Sequence, residues 1–190
     1  MVVDPSRSPL PPTASSDPDF RRLVEEHARF LFRALRHLGV RESDLDDVCQ
    51  DLFIVAYRKY RDFRGDSSFR TWLYGIAVRL ASEHRRRAHV RREIPTSDPP
   101  LASAPSNGVE QVEQQELREL FNTILDGLDD DKRAVFVLYE VEELDMKEIA
   151  EAVNCPLQTA YSRLHSARRY VAEAVRQHWP ELERHPTHGR

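Results

Sequence analysis

Between Ile94 and Val109 the chain carries Pro95, Pro99, Pro100 and Pro105 among Ser and Ala, a composition that offers no apolar face and behaves as a semi-extended tether. Helical periodicity holds on both sides of this stretch, and no strand pattern or internal repeat interrupts it. The sequence is therefore confined to an all-α fold of two small helical domains joined by a Pro-rich linker. Its 190 residues suffice for two modest cores, and with only 6 glycines the composition favours helices. The expected organisation is a disordered arm over 1–18, a first domain over 19–93, the flexible linker over 94–109, a second domain over 110–180 and a disordered tail over 181–190.

In the first domain, Phe20, Leu23, Val24, Leu31, Leu35 and Leu38 follow helical spacing, and Gly39 ends that helix. A second helix is expected from a Ser43 cap, with Leu45, Val48, Cys49, Leu52 and Ala56 on one side and Asp46, Asp47, Gln50 and Asp51 on the other. The loop from Arg61 to Ser68 leads into a third helix, capped by Ser67 or Ser68, with a core face of Phe69, Trp72, Leu73, Ile76, Ala77 and Leu80. Aromatic and arginine residues alternate along this segment. Such a surface suits phosphates and unstacked bases, with Phe63, Tyr74 and the loop residues as the candidates for base contact.

In the second domain, two helices carrying Leu125 and Leu128, then Val135 and Leu138, precede a short helix with Met146, Ile149, Ala150 and Val153 on its apolar side. Asp145 and Glu148 have the spacing of a capping box, and Pro156 fits near the start of a last helix that turns Ala160, Leu164 and Ala167 inward. This is the pattern of a helix-turn-helix, whose outer residues, Ser162, Arg163 and Arg169, would enter a major groove. The same spacing also fits two bundle helices with an ordinary solvated face.

The net charge of -4 conceals a segregation: acids crowd Glu42 to Asp51, and arginines crowd Arg85 to Arg92. Two oppositely charged surfaces suggest two partners of opposite character, although solvated helix faces would give the same runs. The inventory argues against catalysis, with no phosphate loop, nucleophile elbow or zinc-binding His pair. Asp46, Asp47 and Asp51 lack the other half of a cation or acid-base site. No cofactor and no metal are expected. Cys49 and Cys155 lie far apart without metal-ligand spacing and read as reduced thiols. No apolar run reaches the roughly 20 residues of a membrane span, and the N-terminal segment has no signal-peptide core, so a cytoplasmic protein without membrane insertion is expected.

Three segments in order, Asp44 to Phe53, Phe63 to Tyr74, and the helix-turn-helix, resemble the extracytoplasmic-function sigma factors of bacterial RNA polymerase, which carry sigma-70 regions 2 and 4. The resemblance implies a region 2-like first domain and a winged-helix-like region 4 as the second. It further implies that Asp46, Asp47, Gln50 and Asp51 face the beta-prime clamp helices of core RNA polymerase. Phe63, Arg64, Ser67, Ser68, Tyr74, Arg79, Arg86 and Arg87 would hold the melted minus-ten strand of promoter DNA. Thr159, Tyr161, Ser162, Arg163, Ser166 and Arg169 would read the minus-thirty-five duplex, in a domain that also touches the beta flap. An anti-sigma factor is the implied inhibitory partner, and nucleotide addition would belong to the polymerase. Arg79 stands where the family commonly has Asn, and Gln158, Tyr161 and Ser166 also depart from the usual reading helix. A sigma-like adaptor without promoter melting is the alternative; a stand-alone repressor would leave the Asp46 helix and the Phe63 loop without a purpose.

Overall fold

The computed structural model describes the backbone of residues 18–93 and 109–178, and the side chains of 20–89 and 117–178. Of the expected arm, linker and tail, residues 1–17, 94–108 and 181–190 lie outside the described residues, whereas Pro18 and Val109 are already helical. The elements in order are α1 (Pro18–His37), a 3-10 turn (Glu42–Asp44), α2 (Leu45–Tyr60), α3 (Phe69–Glu93), α4 (Val109–Asp126), α5 (Asp130–Phe136), a π-helical stretch (Val137–Val141), α6 (Met146–Ala152) and α7 (Leu157–His178). No strand occurs among the described residues.

Helices α1, α2 and α3 pack on one another, joined by the apolar stripes that the sequence spaces at helical intervals. Leu31, Leu35 and Leu38 from α1, Leu45, Leu52 and Ala56 from α2, and Leu73, Ile76 and Ala77 from α3 are all buried. Helix α1 closes in a Schellman motif: Val40 N–H donates to Leu35 O at 3.0 Å and Gly39 N–H to Arg36 O at 3.0 Å, with Gly39 at φ 98°. The expected Ser43 cap does not form. Ser43 Oγ turns to its neighbour Asp44 at 3.0 Å, and the 3-10 turn leads the chain into α2 instead. Ser68 does cap α3, accepting from Thr71 N–H at 3.0 Å.

In the second group, Asp129 caps α5 by accepting from Lys132 N–H at 2.8 Å. The Asp145–Glu148 capping box at the head of α6 is complete. A second Schellman motif forms the break before α7, with Cys155 N–H on Ala150 O at 2.9 Å and Asn154 in the left-handed region at φ 51°. Asn tolerates that conformation better than most residues, which keeps the turn between the two helices tight. Cys49 is buried, Cys155 half-buried, and both are free thiols. Burial, with the nearby Asp46 charge adding to it, pushes the Cys49 thiol up and makes it a poor nucleophile.

The two groups of helices are packed together, α3 against α6 and α1 against the π-helical stretch. Gly75 makes the first contact possible, since a Cβ there would stand 3.1 Å from the Ala152 carbonyl oxygen. Helix α5 is joined to the end of α1 by Arg133, only 1% exposed, whose Nε donates to His37 O at 2.6 Å and whose Nη1 pairs with Asp126 at 2.6 Å. An arginine of α5 thereby satisfies a carbonyl that the end of α1 leaves without a helical partner.

Candidate polymerase and nucleic-acid interfaces

The acidic face of α2 follows from its register. With Leu45, Val48, Cys49 and Leu52 turned inward, Asp46, Asp47, Gln50 and Asp51 are all exposed on one side. Asp46 and Asp47 stand in the first helical turn, where the helix dipole favours negative charge. Among the described residues none of the three aspartates enters an ion pair, so a fixed patch of like charge is held ready for a basic surface.

The loop after α2 is built on an aromatic cluster. Phe63 is half-buried, its ring 5.6 Å from Phe69 and 5.2 Å from Trp72, which fixes the loop while Arg64, Asp66 and Ser68 stay exposed. Gly65 turns the chain at φ 76°. Ser67 is half-buried; Arg79, Arg86 and Arg87 are exposed along α3, with Arg87 held by Glu83 at 2.6 Å. Arg85, part of the same basic run, turns away from solvent and pairs with Asp130 at 3.2 Å.

Tyr74 departs most from its expected place as an open base contact. It is 0% exposed, and its hydroxyl donates to Glu142 Oε2 at 2.5 Å. Burial, reinforced by that carboxylate, drives the Tyr74 phenol well above its ordinary range, so it stays a neutral donor. Glu142 also accepts from Arg33, Nε at 3.0 Å and Nη2 at 2.9 Å, in a two-pronged pair. Arg70, stacked over the Phe30 and Tyr74 rings, donates to the Glu142 backbone oxygen at 2.7 Å. One turn of the second group therefore covers part of the surface to which the sequence assigns the melted strand.

On the reading helix α7, Tyr161 is 51% exposed, Ser162 and Arg169 are exposed, and Thr159 and Ser166 are half-buried. Arg163 is drawn back into an ion pair with Asp131 of α5. Ser166 and Arg169 line a shallow cavity of about 510 Å³ together with Lys132 and Tyr170. Arg168, exposed, lies over the Tyr139 ring and pairs with Glu140 at 2.5 Å, which ties α7 to the π-helical stretch.

Sequence reasoning passed over Arg33, Arg133 and Glu142, and gave Glu148 only its capping role. Each looked like an ordinary charged residue, and the partners of Arg33, Glu142 and Glu148 across the two groups lie 68 to 109 residues away. No grouping of His, Cys, Asp and Glu among the described residues has the make-up of a metal site, and no described helix is long and apolar enough to cross a membrane.

Residues 23–91 match the family described as Sigma-70 region 2, and residues 118–171 match Sigma-70, region 4. The chain is 36% identical over 147 residues to the ECF RNA polymerase sigma-E factor of Escherichia coli, covering 72% of this chain and 76% of that protein. A similar match, 36% over 149 residues, is found with the sigma-E factor of Haemophilus influenzae, covering 72% of this chain and 77% of that one. Among solved structures, CnrH in complex with the cytosolic domain of CnrY superposes with a TM-score of 0.62 at 26% identity, over 82% of this chain and 86% of that one. The sigma factor RpoE of Bartonella quintana, solved with the anti-sigma factor NepR, gives 0.64 at 20% identity, over 83% and 97%.

Proposed function

The chain belongs to the ECF RNA polymerase sigma factors, and we propose that its separated charge surfaces divide the work of that family between polymerase and promoter. As a sigma factor it binds core RNA polymerase and promoter DNA and directs transcription initiation. The exposed acids of α2 carry the finer reading: Asp46, Asp47, Gln50 and Asp51 form a face with no competing ion pair among the described residues, suited to the basic side of the clamp helices. Phe63, Arg64, Ser67 and Ser68 in the loop, with Arg79, Arg86 and Arg87 on α3, would hold the melted minus-ten strand through rings and phosphate contacts, while the buried Tyr74 would not contact a base. Thr159, Tyr161, Ser162, Arg163, Ser166 and Arg169 would read the intact minus-thirty-five duplex in its major groove.

The division is physically economical. A melted strand needs stacking surfaces and phosphate donors, whereas an intact duplex needs a helix in the groove. Residues 94–109 would link the two sites, domains 19–93 and 110–180, so that each weak contact raises the effective concentration of the other. The chain itself would perform no catalysis. It would work in the cytoplasm with the polymerase, where an anti-sigma partner would compete for the same surfaces.

Run-off transcription tests this reading. Purified core RNA polymerase is assayed with and without the protein on promoter fragments that include the gene's own upstream region. Protein-dependent transcripts from a small set of fragments sharing two spaced elements are expected. Binding to polymerase without any transcript from a promoter the protein occupies would favour the adaptor reading instead.

A further inference from the structure

We propose that the cavity between the α4–α5 corner and α7 is a phosphate-binding site, in which Ser166, Arg169, Tyr170 and Lys132 hold the phosphate group of a phosphorylated molecule. Ser166, Arg169 and Tyr170 stand at i, i+3 and i+4 on α7, so they share one face within about 6 Å of helix. Lys132 of α5 lines the same cavity, whose volume of about 510 Å³ lies within the usual range of ligand pockets, roughly 300–1,000 Å³.

The state of the charges points to an anion. Both acids that line the cavity are already engaged: Asp129 accepts from Lys132 N–H at 2.8 Å and from its Nζ at 2.6 Å, and Glu173 accepts from Arg176 and from Gln177 Nε2 at 3.3 Å. The donors of α7 are not. Among the described residues the Ser166 hydroxyl, the Arg169 guanidinium and the Tyr170 hydroxyl have no hydrogen-bond or ion-pair partner. With Lys132 and Arg169 in the lining and Arg176 behind Glu173, positive charge is in excess. Two hydroxyls, a guanidinium fork and an ammonium form a donor set matched to the several oxygens of a phosphate rather than to the two of a carboxylate. Gly127 shapes the site, since a Cβ there would stand 1.8 Å from the Tyr170 hydroxyl oxygen and 2.6 Å from its Cζ. The glycine thus lets the phenol lie in the corner, with Tyr170 still 41% exposed and its hydroxyl at the wall of the cavity. The phosphate has two possible sources. One is a small phosphorylated molecule; the other is the backbone of a duplex seated on Ser162, one turn before Ser166 on the same face.

Titration calorimetry of the full-length protein with sodium pyrophosphate, against sodium chloride at equal ionic strength, tests the first source. Filter binding of its complex with core RNA polymerase to the recognised duplex and to scrambled duplexes tests the second. Tyr170→Phe removes the hydroxyl, and Gly127→Ala displaces the phenol without altering any charge; a melting curve confirms that both variants fold. Saturable pyrophosphate binding, weakened about tenfold or more in both variants, is expected for a small phosphorylated molecule. Without pyrophosphate binding, an equal loss by both variants on every duplex would uphold the site and assign it to backbone phosphate. A loss confined to the recognised duplex would make the cavity a base-reading site and overturn the proposal. Pyrophosphate binding that both variants retain, or variants unchanged on every duplex in a protein that ignores pyrophosphate, would overturn it as well. Only the duplex arm rests on the reading of α7 as the groove helix: a complex that binds no duplex would remove that reading, while the pyrophosphate arm would still decide the cavity.

Discussion

Helices α2 and α3 lie side by side in one domain, yet their charged faces have opposite fates. The acids of α2 are exposed and, among the described residues, without ion pairs, whereas donors of α3 from Ser68 to Arg85 are engaged by carboxylates of the second domain. The difference lies in the chemistry of each neighbour. The facing surface of α5, the π-helical stretch and α6 presents Asp130, Glu142 and Glu148, which attract the donor-rich α3 and offer nothing to an acidic face. The α2 acids are therefore open, whereas Thr71, Tyr74 and Arg85 of α3 are engaged by the second group of helices.

The largest effect should come from the open face. Reversing Asp47→Lys and Asp51→Lys turns attraction into like-charge repulsion, and a loss of core polymerase affinity beyond about 100-fold is expected. Thermal stability should hardly change, because both side chains are exposed. Co-purification with core polymerase checks the first expectation and a melting curve the second; retained binding would break the contrast by showing that this face is idle.

On the engaged face, Tyr74→Phe removes one donor from a buried carboxylate while preserving the ring. A destabilisation of about 1–3 kcal/mol is expected, read as a lower melting temperature or as separation of the domains in small-angle scattering. An unchanged protein would mean that the Glu142 contact is absent in solution, and the distinction between α2 and α3 would disappear.

What the sequence disclosed follows the range of the interactions involved. Stripes such as Leu31, Leu35 and Leu38, the Asp145–Glu148 box and the Gly39 stop are written within a turn or two of chain, and each is found where the pattern predicts. The exposure of the α2 acids was legible for the same reason: burying Leu45, Val48 and Leu52 forces their neighbours outward. The Ser43 cap failed because a 3-10 turn is a nearly equivalent local solution that no periodicity distinguishes. Tyr74 failed for a different reason. Its helix position is amphipathic by sequence, and only Glu142, 68 residues away, decides that it is buried. Long-range pairing of one charged residue with another leaves no trace in a single sequence.

The reading helix refines the comparison, because Arg163 is engaged as well but by an exposed partner, Asp131, which is 64% exposed. Such a pair contributes little to stability, so the arginine is free to exchange Asp131 for a base edge or a phosphate. Arg163→Ala should weaken binding of the recognised duplex by about 1–3 kcal/mol if it reads a base, with little effect on melting temperature. Filter binding against the recognised duplex and scrambled duplexes discriminates: an equal loss on all sequences would make Arg163 a phosphate contact.

The smallest expected effect concerns acidity at the seam. His37 at the end of α1 is covered by α4, where Asn122 Oδ1 lies 3.1 Å from Nδ1 and the Phe121 ring centroid is 5.6 Å from its own. Burial holds its pKa below the ordinary value of 6.5; the Asn122 bond and Glu142 oppose that shift, while Arg36 and Arg33 add to it. Since the neutral ring belongs to the closed form, opening restores ordinary proton affinity and takes up a proton. The contribution of His37 to closure is therefore fully present above about pH 6.5 and is lost progressively as the pH falls through that value toward the lowered one. An effect below about 1 kcal/mol is expected, visible as a modest rise in radius of gyration on acidification that His37→Asn abolishes. His27 is the internal control. Burial lowers its pKa too, but its ring lies against Phe30 and Phe69 within the first domain, so its protonation should destabilise that domain without separating the two. An acid response that survives His37→Asn but disappears with His27→Asn would place the sensitivity in the domain core and leave the seam indifferent to pH.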